Sequence, residues 1–115
     1  MTGFRNDIAV KCGVNAAVIA EFLWDHLKDG GDGDGVLKRH GRCWYRCSAR
    51  MMTGEFPYLS IHMAKDAVNV LAGKGYIRNG CFNDNRFDHT NWYAFTDYGK
   101  KMMEAGGRHE ERKLP

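Results

Sequence analysis

Residues 60–75 read Ser-Ile-His-Met-Ala-Lys-Asp-Ala-Val-Asn-Val-Leu-Ala-Gly-Lys-Gly. Ser60 is a good N-cap, because its hydroxyl can accept from a first-turn amide that has no partner inside the helix. Ile61, Ala64, Ala67, Val68 and Leu71 recur at steps of three and four, which gathers them on one helical face. His62, Lys65, Asp66 and Asn69 fall towards the other. One face must pack against the rest of the chain, and the other is offered to something else.

Upstream, Phe56-Pro57-Tyr58-Leu59 makes a tight apolar corner, with Pro57 barring helix continuation. Ser48 can cap a helix over 49–54, so two short helices flank the corner in a helix-turn-helix pattern. Before them, 42–47 is a short β-like run carrying Trp44 and Tyr45. Residues 15–28 predict a strong helix with Asn15 as N-cap. Its apolar residues Val18, Ile19, Phe22, Leu23, Trp24 and Leu27 cover more than one stripe, as expected of a helix that is central or shared with a partner. Residues 1–13 carry only a short lead-in at Ile8-Ala-Val and a break at Gly13.

Downstream of Gly75, residues 76–82 and 91–95 are strand-like and aromatic, and the polar stretch between them reads as the long tip of a β-hairpin. Asp97 can cap a last helix over 98–105. The order helix, strand, helix, turn, helix, strand, wing loop, strand, helix is that of an α+β winged helix domain. It is expected over residues 1–107, with a charged, disordered tail at 108–115.

The chain has 115 residues, 43% hydrophobic and 27% charged, which suits one ordinary domain. Its net charge of +3 is mild, but its distribution is not even. Lys38, Arg39, His40, Arg42, Arg46 and Arg50 form a basic run free of acids, directly after the acidic, glycine-rich stretch containing Asp29, Asp32 and Asp34. No apolar run is long enough for a membrane helix, and the N-terminus lacks the apolar segment of a signal peptide, so a cytoplasmic protein without a membrane partner is expected. Cys12, Cys43, Cys47 and Cys81 then read as small hydrophobic thiols.

Together these pieces resemble the N-terminal winged helix module of phage and mobile-element replication initiators, which are related to primosomal replisome organisers. The resemblance is carried by Gly13-Val-Asn-Ala-Ala-Val-Ile, Gly41-Arg-Cys-Trp-Tyr, Phe56-Pro-Tyr-Leu-Ser60, Leu71-Ala-Gly-Lys-Gly75-Tyr-Ile, Asn83 and Phe87-Asp-His-Thr-Asn-Trp-Tyr93. It covers residues 8–96 and implies duplex DNA as the partner, with a role in replication or transcription control of a mobile element. The chain departs from the family pattern at Lys65-Asp66, where a basic pair would stand. It also stops soon after the module, so a module standing alone is expected rather than a full initiator.

On this reading the expected DNA contacts are His62, Lys65 and Asn69 on the third helix, Arg46 and Arg50 around the second, and Asn85, Arg86 and His89 on the hairpin tip. Such residues suit base edges in a major groove and phosphates beside it. The alternative is a winged helix serving as a protein-protein dimerisation or adaptor module without DNA. The first and last helices are a candidate homodimer contact, with Tyr98, Met102 and Met103 on the last.

No nucleophile elbow, phosphate loop or His-Glu-x-x-His motif occurs, so neither an enzyme, a small-molecule substrate nor a cofactor is expected. Asp88 and Thr90 read as turn residues rather than a catalytic pair. Cys43 and Cys47 are four apart on a strand, about 13 Å, which does not suit zinc even with Cys12, Cys81, His62 or His89 added. Asp32-Gly-Asp34-Gly35 matches the middle of a calcium loop, but Gly30 and Gly41 occupy its first and last ligand positions.

Overall fold

The computed structural model describes residues 4–28 and 35–105. Among them the elements run α1 (Asn6–Cys12), α2 (Val14–Leu27), β1 (Val36–Arg39), β2 (Arg42–Arg46), α3 (Ala49–Glu55), α4 (Ile61–Gly73), β3 (Ile77–Gly80), β4 (Trp92–Phe95) and α5 (Asp97–Ala105). The strands make one antiparallel sheet in the order β1-β2-β4-β3. The chain is thus α+β, as its element pattern predicts. The half calcium loop at 29–34 and the tail at 108–115 lie outside the described residues.

The two serine caps form as expected. Ser48 Oγ accepts from the Met51 amide and Ser60 Oγ from the Met63 amide, each at 3.1 Å. Ala64, Ala67, Val68 and Leu71 of α4 are buried, whereas Ile61, in the first turn, is 43% exposed. Residues 16–23 of α2 are all buried, because α1, α4 and the strands β2 and β4 pack around it. The apolar breadth of α2 is therefore taken up inside the chain.

Where α2 begins differs from the expectation. Its N-cap is Gly13, at φ 95°, and Asn15 lies in the first turn. Gly13 closes α1 by donating to the Ala9 carbonyl at 2.8 Å and opens α2 by accepting from the Ala17 amide at 3.0 Å. That reversal needs a left-handed backbone, which glycine adopts without a steric cost.

Among the buried polar side chains, Glu21 in the middle of α2 forms an ion pair with Arg5, the residue preceding α1. The Arg5 guanidinium also donates to the Met103 carbonyl in α5.

The sheet divides its side chains by strand alternation. Tyr45, Tyr93, Phe95 and Ile77 join the helices in the main core, while Trp44, Trp92 and Ala94 form a second cluster with Leu37 and Phe82. Trp92 and Tyr93 take opposite faces, as expected, but the outer face is not open. Phe82 folds over it, with ring centroids 5.0 Å from Trp44 and 6.0 Å from Trp92, and Trp92 is only 8% exposed.

Strand β1 is an addition to the expected pattern. It turns into β2 through His40 and Gly41, at φ 54° and 75°, the left-handed pair that suits a two-residue hairpin. The last helix is capped by Thr96 rather than Asp97. Thr96 Oγ1 accepts from the Gly99 amide at 2.9 Å and donates to the Gly75 carbonyl at 2.6 Å. Asp97 is instead drawn to Arg42, 3.2 Å away.

Gly99 is buried directly against the Tyr76 carbonyl, and a methyl group at that position would overlap it. Gly99→Ala is accordingly expected to destabilise the protein by about 2 kcal/mol. The denaturant midpoint measures this, and an unchanged midpoint would mean that α5 is not seated on Tyr76.

Candidate nucleic-acid interface

Helices α3 and α4, strand β2 and the connection between β3 and β4 carry the residues expected to touch DNA. On α4, His62, Lys65 and Asn69 are all exposed. His62 Nε2 lies 3.3 Å from Asp66 Oδ2, one helical turn away. The same helix exposes Ile61, Met63 and Val70, so its outer surface mixes apolar patches with a Lys65–Asp66 neighbour pair of opposite sign. Arg50 is exposed on α3, which packs on α4 through the turn closed by the Leu59 amide and the Phe56 carbonyl at 2.9 Å.

Arg46 is different. Its guanidinium forms an ion pair with Asp88 and donates from Nε to Asn83 Oδ1 at 3.2 Å and from Nη2 to Thr90 Oγ1 at 3.5 Å. Expected as a phosphate contact, it instead pins the connection between β3 and β4 to strand β2.

Asn83 is the hub of that connection. Its Nδ2 donates to the carbonyls of Asp88 at 2.8 Å and Thr90 at 2.9 Å, while Oδ1 accepts from Arg46 and from Trp92 Nε1 at 2.9 Å. Every hydrogen-bonding position of the amide that can matter here is thus used. Asp88 Oδ1 accepts from the Thr90 hydroxyl at 2.6 Å and the Thr90 amide at 3.0 Å. These bonds, largest effect first the Thr90 hydroxyl, then the Thr90 amide, then Arg46, lower the Asp88 carboxyl from 3.8 to about 2. Asp88 and Thr90 act as turn residues, as their sequence context suggests.

The network leaves Asn85, Arg86 and His89 exposed at the tip. Asn85 Oδ1 accepts from the Phe87 amide at 2.9 Å, so its side chain also shapes the turn. Phe87 is 75% exposed, with the Arg86 guanidinium 5.1 Å from its ring centre.

Arg42 is likewise engaged, with Asp97 and with the Phe95 carbonyl at 3.0 Å. Of the basic run, Lys38, Arg39 and His40 at the β1–β2 tip and Arg50 on α3 are the exposed ones. Residues 38–40 belong to the basic run noted in the sequence, but of the exposed ones only Arg50 was expected as a DNA contact. The signal was present in the acid-free run; the hairpin that displays it was not recognised.

Cys47 is buried, and burial raises its thiol to about 12, whereas Cys81 is exposed. Among the described residues, no group of three or more His, Cys, Asp or Glu side chains is placed to hold a metal ion, and no helix is long and apolar enough to cross a membrane.

The Asp88 carboxyl ionises more readily folded than unfolded, so it stabilises the fold fully above pH 4 and loses that contribution as pH falls towards about 2. Acid titration of stability should show this loss, and Asp88→Asn should reduce it; identical profiles would dismiss the network. Asn83→Ala, which leaves the Trp92 and Arg46 donors without their shared acceptor, is expected to cost about 2 kcal/mol by denaturant titration.

Comparison of the chain with family models, with characterised proteins and with solved structures gives no match at any of the three levels.

Proposed function

We propose that this chain is a winged helix protein that binds duplex DNA, in replication or transcription control of a mobile element. The observation that carries the reading is connectivity. Helix α3, a tight turn and helix α4 lead straight into β3, and the connection at 81–91 returns the chain to β4, which lies between β2 and β3. That is the arrangement in which a helix is presented to a groove beside a hairpin wing. On this reading Lys65, Asn69 and His62 face the major groove, while Arg50, Arg86 and His89 hold the backbone on either side. Arg46 supports the wing from within.

A second reading is favoured by the composition of α4 itself. Ile61, Met63 and Val70 are exposed on it, and Asp66 offsets the positive charge of its neighbours. Such a surface suits a protein partner or a second copy of the chain.

Fluorescence anisotropy with a mixed-sequence duplex separates the two. Binding is expected at low salt and should weaken at least tenfold between about 50 and about 200 mM salt, with Arg50→Ala lowering the log-log slope by about 1. No binding to any duplex at low salt would remove the first reading, and a dimer in sedimentation would then favour the second.

A further inference from the structure

We propose that the β1–β2 hairpin is a second DNA-contacting finger, in which Lys38, Arg39 and His40 hold phosphates of the duplex. The inference rests on the DNA-binding reading and adds a contact outside both the helix pair and the wing.

The hairpin is built to present these groups. Lys38 pairs with Cys43 and Arg39 with Arg42, so consecutive side chains point to opposite faces of the ribbon. Lys38 and Arg39 thus place a cation on each side of it. A two-stranded ribbon fits a major groove, where phosphates line both walls. Cations on both faces match that geometry better than a single flat surface would.

Its backbone is held independently of those side chains. Trp44 Nε1 donates to the Arg39 carbonyl at 3.0 Å, and Leu37 packs in the Trp44–Trp92 cluster. The apolar side chains of the hairpin are turned into the sheet, which leaves cations and an imidazole as what its tip offers. A protein partner would need an apolar anchor there.

The turn residue is a second, separate observation. His40 adopts φ 54° ahead of Gly41 at φ 75°, in a turn whose left-handed first position is best filled by asparagine or glycine. A histidine tolerates this conformation better than most residues and keeps a hydrogen-bonding ring at the tip.

The charges around the tip favour an anion. Among the described residues no carboxylate forms an ion pair with Lys38, Arg39 or His40. His40 also borders a cleft of about 290 Å³ whose lining carries Lys28, Arg42 and Lys100 together with Asp97 and Glu104. Asp97 is taken by Arg42. Each phosphate neutralised by a lysine or arginine releases condensed counterions, so the finger has a salt signature of its own.

The test is anisotropy of a mixed-sequence duplex against the Lys38→Gln/Arg39→Gln double variant across a salt series. The glutamines keep the side-chain bulk and leave the backbone bond to Trp44 in place. The expected result is binding at least tenfold weaker at low salt, with a log-log salt slope smaller by about 2, at an unchanged thermal midpoint. His40→Asn, which suits the turn, is expected to hold or raise the midpoint while weakening binding two- to fivefold. Should the double variant fold poorly, Lys38→Gln and Arg39→Gln singly should each lower the slope by about 1. Unchanged affinity and slope in folded variants, with the natural chain binding normally, would overturn the finger alone. Absence of any binding by the natural chain would overturn the DNA reading and the finger with it.

Discussion

The Arg5–Glu21 ion pair sets the constraint on which the helical half of the molecule depends. Glu21 has no exposed surface and lies on a helix whose neighbouring residues are apolar and buried. Removing a carboxylate from water costs several kcal/mol, and only a close partner with further hydrogen bonds can offset that. Arg5 supplies the partner from the N-terminal side of α1, and its remaining donor capacity reaches the Met103 carbonyl in α5. The residue ahead of α1, the middle of α2 and the far end of α5 therefore meet at one charge. The apolar packing around them, with Ile8, Leu23 and Met103 each almost fully buried, is non-directional and would tolerate sliding. The ion pair does not, so it fixes where α1 and α5 sit against α2.

On the sheet side the same logic operates with a polar hub. Asn83 joins Arg46, Asp88, Thr90 and Trp92 in one set of bonds, so the 81–91 connection is held to β2 and β4 instead of hanging from its ends. Asn83 and the Phe-Asp-x-Thr-x-Trp run at residues 87–92 are mostly this scaffold. Asp88, Thr90 and Trp92 spend their polar atoms inside the loop, and only Phe87 and its neighbours at the tip face outward. A motif of this kind speaks first for the shape of the loop. What the loop touches depends on Arg86, Phe87 and His89.

What could be read from the sequence was what local chemistry determines. The serine caps of α3 and α4, the proline corner and the aromatic alternation of β4 each act within a few residues, and each appears in the structure. Helix α1 gave only a short lead-in, because Arg5 at its N-cap makes no side-chain cap bond and Ile8 is its one buried residue. Strand β1 has four residues and owes its place to pairing with β2. Asp97 looked like a cap, but a guanidinium 55 positions away draws its carboxylate aside and leaves the cap to Thr96. Arg46 looked like a free cation for the same reason, its partner Asp88 being 42 positions distant. Nothing local marked Glu21. The charge of a residue is written in the sequence, whereas its neutralisation is decided by the fold.

That distinction bears on where affinity for a polyanion can come from. The net charge of +3 is small, and Arg5, Arg42 and Arg46 are committed to carboxylates within the chain. On α4 the His62–Asp66 contact and the adjacent Lys65 leave a surface close to neutral. Phosphate contacts supply position and most of the affinity, while base contacts supply choice. On the proposed DNA-binding reading, then, α4 is placed for choice without being charged for affinity. The attraction then comes from exposed cations outside α4, among them Lys38 and Arg39 at the β1–β2 tip, Arg50 on α3 and Arg86 at the 81–91 tip. A helix with few donors, beside one basic hairpin, would grip many sequences and discriminate among them weakly, unless a partner or a second copy adds contacts of its own.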